Sequence, residues 1–232
     1  MLYYIQLNVI EERSRDRRAN GNQLEGCQTV PLFFIAQKQE EVQRVRSFYE
    51  AVEGNPIIAA VKSMEDVEIC CSIEDIRVVF ILFGDICSIG EIVKKVKDAG
   101  KVAMVHIDLI SGLSSKEIVV DFIQKTTEAD GIISTKAALI RRARELQMFT
   151  VLRYFLLDSM AYENIRQQQH AVRPDFIEVL PGVMPKIIAN ACAKSKTPII
   201  AGGLISDKES VMAALSAGAI AVSSTNHGVW EM

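Results

Sequence analysis

Pro198–Asn226, PIIAGGLISDKESVMAALSAGAIAVSSTN, is in turn a strand, a glycine turn, a helix, a second glycine turn and a second strand. Pro198-Ile199-Ile200-Ala201 is a short apolar run, Gly202-Gly203 allows a sharp turn, and Ser206-Asp207 caps a helix reaching Ala217. Gly218 closes that helix and Ile220-Ala221-Val222 forms the next strand. Two successive strand ends thus present Gly202, Gly203, Ser223, Ser224 and Thr225 on one side, where a (β/α)8 barrel holds a phosphate after its seventh and eighth strands. A tight turn alone also explains the two glycines; the serines one unit later favour an anion site.

Working outward from this unit, the same pattern recurs. Apolar runs at 57–61, 78–83, 102–107, 131–134, 150–155 and 176–180 add six strands, giving eight. Helical patterns at 65–73, 88–99, 114–127, 136–147, 159–171 and 184–195 lie between them, with 207–217 as the seventh. Strands separated by single helices demand a parallel sheet, and eight of them demand closure. The expected fold is therefore an α/β (β/α)8 TIM-type barrel lacking a full eighth helix, since only NHGVWEM follows Thr225. An open doubly wound sheet is the alternative, but no G-x-G-x-x-G follows Val61. The seam between the last strand and the first then needs a cover, for which a helix at 37–53 and a partner protomer in a homo-oligomer are the two candidates.

Residues 1–54 form an N-terminal extension of different texture, expected to be partly disordered, and the barrel domain occupies 55–232. The extension opens with the mixed-charge run RSRDRR and the loop-like NGNQLEG; Val42, Val45, Tyr49 and Val52 then recur at helical spacing. The chain has 232 residues, 49% of them hydrophobic, and a net charge of −3. That content supplies one large core, and the charge excludes a global positive field for nucleic acid. Cys27, Cys70, Cys71, Cys87 and Cys192 lack the spacing of zinc ligands or redox pairs and fit the reduced thiols of a cytoplasmic protein. No basic leader precedes the apolar MLYYIQLNVI, and no run approaches the ~20 residues of a membrane span.

Polar residues gather where the strands end. Strand three carries His106 and Asp108, strand four runs into Ser134-Thr135-Lys136, strand five carries Arg153, and strand six Glu178. Arg153 and Glu178 form either a structural ion pair in the barrel mouth or, with the arginine fork turned outward, a grip on a ligand carboxylate or phosphate. His106 fits a satisfied core residue better than a catalyst. Lys136 stands where a Schiff-base lysine or a phosphate ligand would, yet it also begins the basic segment Lys136, Arg141, Arg142 and Arg144, the densest positive patch of the folded part.

These residues carry a resemblance. VHIDLISGL at 105–113, DGIISTK at 130–136, RYFLLDSMA at 153–161, PDFIEVLPG at 174–182, IIAGGLI at 199–205 and AGAIAVSSTNHGVW at 217–230 resemble the bacterial glycerol-3-phosphate-responsive antiterminators, over about three quarters of the chain. The resemblance implies a barrel fold, glycerol 3-phosphate as effector with no other cofactor, and binding to leader mRNA so that transcription passes a terminator in glycerol uptake operons. It places the phosphate on Gly202, Gly203, Ser223, Ser224 and Thr225, with Asp108, Lys136, Arg153 and Glu178 lining the rim. RNA contacts are expected from Arg141, Arg142 and Arg144 on charge alone. Members of this family begin near NPIIAAV, so the leader is an addition or a misplaced start. The competing expectation is a barrel enzyme, an isomerase or aldolase of a small phosphorylated substrate, using His106, Lys136 or Glu178 to move a proton.

Overall fold

The computed structural model describes residues 48–156, 158 and 171–232. Eight parallel strands close into a barrel in chain order: β1 Ile57–Val61, β2 Val78–Ile81, β3 Val102–His106, β4 Gly131–Ser134, β5 Phe149–Phe155, β6 Phe176–Leu180, β7 Ile199–Gly202 and β8 Ala221–Ser224. Closure is made by β8 on β1, with Ser223 opposite Ile58. The described helices are α1 Met64–Ser72, α2 Ile89–Asp98, α3 Ile118–Thr126, α4 Ala137–Glu145, α5 Pro185–Lys194, α6 Lys208–Ser216 and α7 His227–Trp230. Side chains set several of their starts: Ser63 Oγ accepts from Asp66 N (3.1 Å), Asp207 Oδ1 from Ser210 N (2.7 Å) and Asn226 Oδ1 from Gly228 N (2.9 Å). The helix expected at 159–171 lies outside the described residues except for residue 171, which is helical.

The strands are buried on both faces, which is why they appear in the sequence as unbroken apolar runs. Ile58, Ala60, Val78, Phe80, Met104, Ile133, Val151, Phe176, Ile200 and Ala221 fill the barrel, while Ala59, Val61, Val79, Ile81, Val105 and Ile132 meet the helices outside. Towards the carboxyl ends the inward positions change to Arg153, Glu178, Gly202 and Ser223. The sequence therefore builds an apolar lower barrel and a polar mouth.

Both flanks of the barrel, among the described residues, pack differently from expectation. Of the helix expected at 37–53, residues 48–53 are helical and 37–47 lie outside the described residues. Residues 48–54 do not cover the β8–β1 seam. Phe48 and Val52 join the barrel interior, with the Phe48 ring 4.2 Å from that of Phe176 and 5.4 Å from that of Phe149. Those two phenylalanines open β6 and β5, so the segment plugs the amino end of the barrel. An aromatic can fill that space whereas the short first turns of the strands cannot.

The seam is covered instead by the single turn α7. Val229 and Trp230 are buried, the Trp230 indole Nε1 donates to Ser224 O at 2.8 Å, and His227 Nε2 lies 2.7 Å from Asp66 Oδ1 on α1. Four residues suffice because tryptophan supplies the area that a longer helix would otherwise bring. Phe48→Ala should cost about 3–5 kcal/mol in urea unfolding through the cavity it leaves at the floor. Trp230→Phe should cost less, since the ring remains and one hydrogen bond, about 1 kcal/mol, is lost. A Phe48→Ala protein as stable as the parent would show that the floor is sealed without this ring.

Candidate functional site

Arg153 and Glu178 stand opposite each other in the β5–β6 ladder, both pointing into the mouth. Arg153 Nε donates to Glu178 Oε2 at 2.5 Å, and Ser223 Oγ, reaching across from β8, donates to Oε1 at 2.6 Å. Glu178 is wholly buried, so its charge is tolerable only because both oxygens are engaged. β7 lies between β6 and β8, and the Ser223–Glu178 bond crosses it at Gly202. A Cβ there would overlap Glu178 Oε1 and Ser223 Oγ alike. Gly202 thus makes room for a protein–protein hydrogen bond.

A guanidinium has five N–H donors. Among the described residues Arg153 commits only Nε, and its two amino groups remain for whatever enters the mouth. Beside it on β3, His106 is 3% exposed, and its Nδ1 is the one buried side-chain polar atom without a partner among the described residues. Burial, then the Arg153 charge, pushes His106 down to about 4, so the ring is neutral at physiological pH.

Asp108, in the 3-10 turn Ile107–Leu109, ties the β3 and β4 loops together. Its Oδ2 accepts from Thr135 N (2.7 Å), Thr135 Oγ1 (3.1 Å) and Ser134 Oγ (3.0 Å), and Lys136 Nζ lies 3.2 Å from Oδ1. Burial works against the charge on Asp108, but the Thr135 N–H, the Ser134 hydroxyl and Lys136 hold the carboxyl below its ordinary range. Lys136 Nζ also donates to Ser115 Oγ at 2.7 Å. A Schiff-base lysine must present a free amine to the substrate, whereas this one is turned onto the β3–α3 loop.

At the ends of β7 and β8 the hydroxyls are already in use. Ser223 is spent on Glu178, and Ser224 Oγ donates to Ile205 O at 2.6 Å while accepting from Asn226 N at 3.1 Å. Gly202, Ser223 and Ser224 lie within the ladder. The N–H groups of Gly203, at φ 76°, and of exposed Thr225 stand beyond it and make no hydrogen bond among the described residues. The mouth therefore brings together Gly203, Thr225, Arg153 and His106 as open groups over the satisfied Glu178, Ser223 and Ser224, with Asp108 and Lys136 as a paired wall.

The predicted basic patch is on the outer surface of α4, where its charges are unequal in availability. Arg142 makes a two-pronged bond to Asp121 (3.0 and 2.6 Å) and a third to Glu145 at 2.8 Å. Arg144 Nη1 donates to Arg173 O, while Arg141 is exposed. Sequence reasoning underrated His106; its only signal was an inward position, two residues before Asp108, in an otherwise apolar strand. The Asp66–His227 pairing, 161 positions apart, had no local signal.

A closed parallel (β/α)8 barrel with a polar cup at the carboxyl ends of its strands defines a TIM-type barrel protein. Residues 57–230 match the family model described as glycerol-3-phosphate responsive antiterminator, and the chain belongs to that family. An uncharacterized Escherichia coli protein, YgcP, is 46% identical over 178 residues, covering 77% of this chain and 93% of its own. The crystal structure of the glycerol uptake operon antiterminator regulatory protein from Listeria monocytogenes is 34% identical with a TM-score of 0.74, over 76% of this chain and 95% of that one. A glycerol uptake operon antiterminator-related protein from Thermotoga maritima gives 34% and 0.68, over 76% and 98%. Among the described residues, no group of three or more His, Cys, Asp or Glu is placed to hold a metal, and no helix is long and apolar enough to cross a membrane.

His106 gives the fold a defined pH dependence. Its ordinary value is 6.5 and its folded value about 4, so between these limits the unfolded chain binds more protons and stability rises with pH. Acidifying across that window should cost about 3 kcal/mol, and His106→Gln should flatten it. Asp108 and Asp66 sit below the ordinary 3.8, so their losses come at lower pH still. Parallel stability profiles for parent and His106→Gln between pH 4 and 6.5 would contradict the assignment.

Proposed function

We propose that this protein is a glycerol-3-phosphate-responsive transcription antiterminator, acting in the cytoplasm on the leader mRNA of genes for glycerol uptake and metabolism. The observation that carries the reading is Arg153, anchored through one nitrogen and open through two, above a glutamate that cannot take them. The effector's phosphate is received by those amino groups and by the N–H groups of Gly203 and Thr225. Gly202, Ser223 and Ser224 shape the floor, and Asp108, Lys136 and Glu178 line the rim. Because Arg153 faces Glu178 and Lys136 faces Asp108, the cup has no surplus positive charge; affinity rests on directed hydrogen bonds to the anion.

The enzyme reading needs a group free to move a proton. Both Glu178 oxygens are taken and Lys136 is held by Asp108 and Ser115, so that of the three candidates only His106 is unpartnered among the described residues. Pushed down to about 4, His106 is a weak base with no free acid or base beside it, which favours a sensor over a catalyst. RNA is met on the outside of the barrel by Arg141, Arg142 and Arg144. Arg141 takes the largest share, since Arg142 must first leave Asp121 and Glu145.

Calorimetry should show glycerol 3-phosphate binding and being recovered unchanged. Glycerol should bind at least a hundredfold more weakly, each hydrogen bond to the anion being worth about 1.5–3 kcal/mol. Equal affinities, or turnover of the ligand, would overturn the reading. Replacing the three arginines by alanine should weaken leader-RNA binding and reduce its salt slope by about one for each RNA phosphate left unneutralised, with effector affinity intact. An unaltered slope would remove α4 from the RNA surface.

A further inference from the structure

The unpartnered imidazole in the cup has no structural duty to explain it. His106 is 3% exposed, and neither ring nitrogen has a hydrogen-bond partner among the described residues. A buried polar atom left in this state costs about 1–3 kcal/mol, and the position is tolerated where a ligand later uses the ring. An apolar side chain would serve packing better, as Ile133, its partner on β4, already does. Nδ1 is sealed in, which leaves Nε2 as the nitrogen to meet a ligand in the mouth.

We propose that His106 reads a hydroxyl of the bound effector, so that the cup selects a phosphorylated polyol and not phosphate on any small carbon chain. This rests on the proposed effector reading and assigns the other end of the same ligand. The chemistry separates the two ends. Arg153 and the N–H groups of Gly203 and Thr225 are donors only and suit an anion that only accepts. A neutral imidazole has one donor and one acceptor nitrogen, and a hydroxyl can serve either. Its neutrality has a visible cause, since burial and then the Arg153 charge disfavour a charged ring and together outweigh Asp108, which favours one. Glu178, by holding Arg153 Nε, acts as a positioning residue that steers the guanidinium to the phosphate.

The test compares glycerol 3-phosphate with n-propyl phosphate, which keeps the anion and the carbon chain but has no hydroxyl, by calorimetry on the full-length protein. The parent should prefer glycerol 3-phosphate by tenfold or more. In His106→Phe, which preserves bulk and ring, the ratio of the two affinities should fall to within about threefold. His106→Gln, which keeps a donor and an acceptor, should restore part of the preference and covers the case in which the phenylalanine variant does not fold. A preference undiminished in both variants overturns the proposal, and so does an equal loss for both ligands, which would make His106 a support for the phosphate end. A parent protein that binds neither compound overturns the effector reading itself. One that binds both equally keeps the phosphate site and removes the hydroxyl reader.

Discussion

The carboxylate of Glu178 governs the upper half of the barrel. A buried charge must be matched, and the match here draws on three strands: Arg153 from β5, Ser223 from β8, and β7 between them reduced to Gly202 so that the bond can pass. Removing any one member strands another. With Arg153 gone, Glu178 is a buried anion without compensation; with a side chain at 202, the serine is pushed off. The pair thereby fixes the guanidinium plane, which a flexible arginine in an open cleft would not hold, and the cup is preorganised before a ligand arrives.

The barrel was legible in the sequence because strands buried on both sides must be apolar throughout, and because capping residues and some glycines fall where helices start or stop. Asp207 caps α6 and Gly218 follows it at φ 102°, as the pattern of Pro198–Asn226 implied. The Arg153–Glu178 pairing was one of two readings the sequence left open, since two charges in adjacent apolar strands either pair or serve a ligand, and the structure shows the pair. What local pattern cannot encode is which end of a barrel a segment meets. Val42, Val45, Tyr49 and Val52 announced a helix, but Phe48 packs on the floor, and that depends on two phenylalanines about a hundred and more residues later. The serines illustrate the same limit. Their positions marked an anion site, but whether a hydroxyl is free depends on the neighbour that claims it, Glu178 for one and Ile205 for the other.

The α4 arginines make the converse point. A run of positive charge along a helix is conspicuous in sequence, yet Asp121, one helix earlier, neutralises its middle member. Charge counted along the chain overstates the field at the surface whenever the next helix over carries carboxylates at matching height. The α4 surface is closer to balanced than its composition suggests, and any polyanion docking there competes with bonds already made.

Trp230 closes the β8–β1 seam by donating its indole N–H to the carbonyl of Ser224. That carbonyl belongs to the same peptide unit as the N–H of Thr225. A trans peptide is planar, with the two groups directed oppositely, so the indole grips one edge of a plate and the Thr225 N–H leaves from the opposite edge. Hydrogen bonding at the oxygen polarises the unit and makes its N–H a stronger donor. Since the chain contains one tryptophan, its fluorescence is a built-in optical gauge of that plate, readable without labels or substitutions.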